Sequence, residues 1–253
     1  MEKKKNVAAE LNPVTKVYIV VFLAVSSLFF GYYYTGAMLA VMIVLAFAAG
    51  KGKEFLVMWL KTIVFITVFC FIMQALFLPG DTVLWKWAIF SIKLEGVQNA
   101  VTLCTRILGV GSAVVLAAKW INMNELVVAL EERGVSPSAT YVLLSTVNII
   151  PQMSKKMNVI MDAQRSRGIE TDSNILVRAK AFFPMVGPLI LNSVVSAEER
   201  AITLEARAFS ANCKKTRIKE TKDDGLDKGL RVFVVILFVL VIGGKLVSWI
   251  VFR

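Results

Sequence analysis

Two guanidinium groups stand where they could grip another molecule. Arg167 closes Gln164-Arg165-Ser166-Arg167-Gly168, and Arg207 lies in Glu205-Ala206-Arg207-Ala208. Each phrase ends a stretch with helical apolar spacing, and Gly168 is the residue type expected just past a helix C-terminus. A basic residue there gains about 0.3–1 kcal/mol from the helix dipole, so either arginine alone is ordinary. Arginine also presents five N–H donors in a rigid fork, a shape suited to a carboxylate on another protein. Two such settings about forty residues apart are harder to assign to chance. Arg133-Gly134 repeats part of the pattern, so a single tip is weakly informative.

Other chemistry is poorly supplied. The chain has no histidine, which removes the commonest metal ligand and general base. Cys70, Cys104 and Cys213 show no CxxC spacing, and packing is their expected role. There is no Gly-x-x-x-x-Gly-Lys-Ser/Thr loop, so the chain is not its own P-loop ATPase. Nucleophile elbow, HExxH and dinucleotide-loop patterns are also missing. No catalytic residue, metal or cofactor is expected, and the chain reads as non-catalytic.

The elements that must hold these arginines are largely apolar. Hydrophobic residues make up 57% of the 253, and the mean hydropathy is +0.68. Soluble domains are usually about 45–50% apolar. The excess sits in nearly charge-free runs, as in helices that span a bilayer. These are Val17 to Phe30, Gly36 to Ala49, Val57 to Leu78, Gly96 to Ala118 and Leu230 to Phe252. The fold class is all-α: a polytopic membrane protein of about five spans, with a lobe of amphipathic helices between the fourth and fifth. The divisions are residues 1–118 for four spans, 119–229 for the lobe and 230–253 for the last span. The first run reads as an uncleaved span rather than a signal peptide, because the tyrosines at 32–34 replace a small-residue cleavage site. Asp81 to Glu95, with Trp85 and Trp87, reads as an interfacial loop or short helix. Arg106 lies mid-span, where a charge usually faces protein or water, pairs with a polar neighbour or snorkels.

The net charge is +11. Lys3, Lys4, Lys5, Lys51, Lys53 and Lys61 place the N-terminus and the basic lobe on the cytoplasmic side under the positive-inside rule. Attraction to anionic headgroups of the lipid bilayer is a second consequence. Nucleic acid is not an expected partner, because basic residues are not interleaved with aromatics.

In the lobe, Asn122 or Asn124 and then Ser136-Pro137 read as helix starts. Pro151 reads as an interruption, and Pro184, Gly187 and Pro188 as a break or kink before a final helix from about Leu189 to Arg207. Met153, Met157, Ile160 and Met161 recur at i, i+4, i+7 and i+8, one apolar stripe on a helix. Ordinary packing explains such a stripe, and methionine also suits surfaces that adapt to a partner.

This layout, with its two arginine phrases, resembles the T component of energy-coupling-factor transporters, ABC-type importers of vitamins and metal ions. Asn12-Pro13-Val14-Thr15-Lys16 looks like the family's entry to the first span, and Leu126 to Leu130 with Glu131 like its segment after the fourth. Ser166-Arg167-Gly168 and Ala206-Arg207-Ala208 look like its paired Ala-Arg-Gly motifs, with serine for alanine in one and alanine for glycine in the other. The second change matters if position 208 needs a positive φ. The resemblance implies that Arg167 and Arg207, with Arg165, Ser166, Gly168, Ala206 and Ala208, dock on two P-loop ATPase subunits. It implies that the stripe of Met153, Met157, Ile160 and Met161 carries their movement to a separate substrate-binding membrane subunit in a prokaryotic cell membrane. A stand-alone channel or secondary carrier with a basic inner lobe is the alternative.

Overall fold

The computed structural model describes residues 10–78, 83–87, 90–168, 175–211, 213, 221, 223 and 225–251. Its helices are α1 Pro13–Phe29, α2 Tyr32–Ala48, α3 Gly52–Phe77, α4 Leu94–Trp120, α5 Met123–Glu132, α6 Pro137–Ser166, α7 Ile175–Ala206 and α8 Gly225–Val251. A π-helical stretch, Trp59–Val64, lies within α3. Among the described residues the protein is all-α apart from one ribbon, β1 Val83–Trp87 paired antiparallel with β2 Phe90–Lys93. That ribbon corrects the expected interfacial loop or short helix. Val83-Leu84-Trp85-Lys86-Trp87 and Phe90-Ser91-Ile92-Lys93 are rich in the aromatic and β-branched residues that favour strands, and the second alternates apolar with polar.

Two compact units divide the chain. The first comprises Met1–Arg133 with Thr221–Arg253, so α5 belongs with the four preceding spans rather than with the lobe. In it α4 is the central helix, in contact with α1, α2 and α3, while α8 lies on α1. Phe55, Met42, Ala46, Ala113 and Leu116 form the middle of its core. Around that core the burial pattern is reversed from a water-soluble fold. Thr15, Ser26, Ser27 and Ser112 are buried, while Val44, Phe65, Phe69, Val232 and Phe233 are exposed. An apolar surface of that extent suits hydrocarbon. Small residues draw the helices together, as expected where lipid removes the hydrophobic drive between them. A Cβ on Gly109 would stand 2.5 Å from the Cβ of Ser27.

Local signals explain the ends. Asn12 caps α1, its Oδ1 accepting from the Val14 N–H at 3.0 Å, with Pro13 at the first helical position. The Asn12 N–H in turn donates to Asp227 Oδ1 at 3.1 Å, and Arg231 Nε donates to Thr15 Oγ1 at 2.8 Å. These two bonds tie the start of α8 to the start of α1. Lys16 is buried there, its Nζ 5.8 Å from the centre of the Trp120 ring. Arg106 lies exposed on α4, with no ion-pair partner among the described residues.

The second unit is Gly134–Glu220, dominated by α6 and α7. Ser136 caps α6 by accepting from the Ala139 N–H at 3.3 Å. The expected interruption at Pro151 and break at Pro184–Pro188 do not occur as helix ends: α6 runs through the first and α7 through the others. A proline removes one helical hydrogen bond and crowds the carbonyl four residues back. A long helix survives that loss where a neighbouring element re-satisfies the freed groups.

Candidate functional site

Both arginine phrases fold as left-handed helix caps. At the end of α6, the Arg167 N–H donates to Gln164 O at 3.1 Å and the Gly168 N–H to Arg165 O at 2.9 Å. Gly168 has φ 85°. At the end of α7, the Ala208 N–H donates to Glu205 O at 2.9 Å and the Phe209 N–H to Leu204 O at 3.0 Å. Ala208 has φ 56°, the one positive-φ residue other than glycine among those described. The second pair of bonds is a full Schellman motif, which occupies carbonyls that a helix end otherwise leaves unpaired. Phe209, the residue after the cap, meets Tyr141 of α6 with ring centroids 5.4 Å apart.

The caps leave the guanidinium groups outside. Arg167 and Arg207 are exposed, and neither has an ion-pair partner among the described residues. Their neighbours are engaged: Arg165 approaches Asp162 at 3.5 Å, and Ser166 Oγ donates to Asp162 O at 3.1 Å. Gly168, Ala206 and Ala208 are exposed beside the two tips. Arg133 ends α5 in a similar way, with its N–H on Leu130 O at 3.1 Å and Gly134 at φ 97°.

Contacts across the seam fix the relation between the tips. Gln152 Oε1 accepts from Arg200 at 3.0 Å, Lys156 Nζ donates to Ser196 Oγ at 2.8 Å, and Ser193 Oγ donates to Met153 Sδ at 3.6 Å. Together with the Tyr141–Phe209 contact these make α6 and α7 antiparallel. Arg207 therefore stands beside the first turns of α6, and Arg167 beyond its last. From Tyr141 to Arg167 at 1.5 Å per residue is roughly 40 Å. The tips lie at opposite ends of one helical pair.

The methionine stripe lines the seam. Ile160 is buried against Met185, with Met157, Met161 and Leu189 packed on them. Met153 borders a cavity of about 290 Å³ between the two helices, together with Tyr141, Lys156, Arg200 and Leu204. The apolar side chains left exposed on this pair are others, among them Ile150, Val159, Ile190, Leu191 and Val194. Sequence reasoning gave no role to Gln164, the first residue of the first phrase: it is buried, and its Nε2 donates to Pro184 O at 3.2 Å. The signal was present in the two prolines four residues apart.

The family model for CbiQ, cobalt transport protein, matches residues 4–218. The chain belongs to this family. Its T-component character is further seen in relatives named energy-coupling factor transporter transmembrane protein EcfT. That of Ruminiclostridium cellulolyticum is 27% identical over 241 residues, covering 87% of each chain. That of Leuconostoc gelidum subsp. gasicomitatum is 28% identical over 242 residues, covering 90% of this chain and 88% of the relative. That of Staphylococcus aureus is 28% identical over 178 residues, 66% of each. The match takes in both arginine phrases, so the capped tips of this T component lie inside the region that defines the family.

Proposed function

We propose that this T component is the non-catalytic energy-coupling subunit of an importer. It transmits ATP-driven movement of two P-loop ATPase subunits to a separate substrate-binding membrane subunit. The observation that carries the reading is the placement of Arg167 and Arg207: exposed, similarly capped and at opposite ends of one antiparallel pair. One guanidinium per ATPase then gives each motor its own handle. Positive charge near residues 51, 53 and 61 supports a cytoplasmic lobe and N-terminus in a prokaryotic cell membrane. The cargo is a vitamin or another micronutrient, chosen by the substrate-binding subunit.

Movement passes through the α6–α7 seam, where Met153, Met157, Ile160 and Met161 make the two helices travel together. The exposed Ile190, Leu191 and Val194, which fall on one side of α7, are then the face offered to the membrane partner. Reversing both tips tests the reading. Exposed ion pairs contribute about 0.2–1 kcal/mol each, so the doubly reversed Arg167→Glu/Arg207→Glu chain is the decisive variant. It should insert normally, lose co-purification with the ATPase subunits and lose uptake. Unimpaired uptake by that variant, or solute movement by the chain alone in liposomes, would refute the coupling role.

A further inference from the structure

A proline four residues after another leaves a carbonyl without its helical donor. In α7 the carbonyl of Pro184 faces position 188, where Pro188 has no N–H. The donor comes from α6: Gln164 Nε2 reaches Pro184 O at 3.2 Å. Gln164 is only 7% exposed, and the apolar contact of Ile160, Met185, Met157, Met161 and Leu189 lies beside it. Pro184 itself is exposed, so the buried partner is the Gln164 amide, which would be costly to leave without an acceptor. Arg167 follows three residues later, less than one helical turn away.

We propose that Gln164 is a positioning residue that locks the proline joint of α7 to the arginine-bearing end of α6. Its amide replaces the N–H that Pro188 lacks. A displacement at the Arg167 tip then reaches α7 as one movement instead of being lost as bending at the joint. The other seam bonds join α6 to α7 at Ser193, Ser196 and Arg200, beyond the joint, while the Gln164 bond meets α7 at the joint itself. The energy-coupling reading above supplies the displacement, while the bond itself stands independently of it.

The two parts are tested separately. In the full chain in lipid nanodiscs, Gln164→Leu should lower hydrogen-exchange protection of the Met185, Val186 and Gly187 amides. A net hydrogen bond of ordinary strength corresponds to about threefold to tenfold. Adding Pro188→Ala supplies the missing N–H to Pro184 O and should restore protection, an outcome that loss of packing volume at position 164 would not give. Unchanged protection in Gln164→Leu, or no recovery in the double variant, would overturn the proposal. Should Gln164→Leu fail to accumulate, recovery of a folded chain by the double variant supports the proposal and continued failure sinks it.

The second measurement uses the complex with its ATPase and substrate-binding subunits. Spin labels replace exposed Ala163 and Ile202 in a cysteine-free chain. ATP should shift the label distance in the parent, fail to shift it in Gln164→Leu and shift it again in Gln164→Leu/Pro188→Ala. An unchanged ATP response in Gln164→Leu counts against the proposal. No ATP response in the parent counts against the coupling reading instead, and leaves the exchange result to decide the bond.

Discussion

Ala208 holds φ 56°, where its Cβ crowds the backbone in a way glycine avoids. The left-handed conformation costs an L-residue about 1–2 kcal/mol. Exchanging glycine in returns about 0.4–1 kcal/mol of that as extra freedom of the unfolded chain. Ala208→Gly should therefore stabilise the second unit by roughly 0.5–1 kcal/mol. Thermal unfolding of the purified chain in detergent should show a higher midpoint; a lower one would mean that the cap is not left-handed. Gly168→Ala at φ 85° should move the midpoint down. The sequence already flagged this site, because an Ala-Arg-Ala phrase in a glycine position matters only where φ is positive. The sign of φ itself depends on the closing bonds from Ala208 and Phe209 to the last turn, which no tripeptide specifies.

At the scale of elements, hydropathy located all five apolar helices because lipid-facing helices need nothing but length and apolar composition. It failed where a partner element decides the outcome. Pro151, Pro184 and Pro188 read as breakers from local chemistry, yet α6 and α7 continue through them. For Pro188 the compensating donor to the freed Pro184 carbonyl comes from Gln164, twenty positions before that carbonyl. The ribbon of β1 and β2 differs for another reason: tryptophans signal an interface without fixing the backbone, and segments of five and four residues are too short for periodicity to separate strand from loop. Helix packing in the first unit gives a sharper prediction. A Cβ on Gly109 would lie 2.6 Å from Ser27 Oγ and 3.0 Å from Thr35 Cγ2. Ser27 cannot swing aside without losing its 2.7 Å bond to Ala24 O. Gly109→Ala should cost about 1–3 kcal/mol through overpacking between α1 and α4. Gly36→Ala, which meets nothing within 4 Å, is the matched control and should leave the unfolding midpoint unchanged or higher. Equal midpoints for the two variants would show that α1 and α4 do not approach this closely.

Across the whole molecule, the first unit has a lipid-compatible surface, and the second contains a long antiparallel pair with a cation at either end. The roughly 40 Å between those ends exceeds the few ångströms over which a guanidinium can share one carboxylate site. One groove on one partner cannot hold both. If each tip engages its own ATPase subunit, photocrosslinkers replacing exposed Ser166 and Ala211 should capture different ATPase molecules. A chain carrying both crosslinkers, irradiated in the assembled complex, should shift by the mass of two ATPase subunits. Each singly substituted chain should shift by the mass of one. A doubly substituted chain that never gains more than one subunit would mean that only one tip is gripped. The second arginine would then be an ordinary helix-end cation, as Arg133 is free to be on α5.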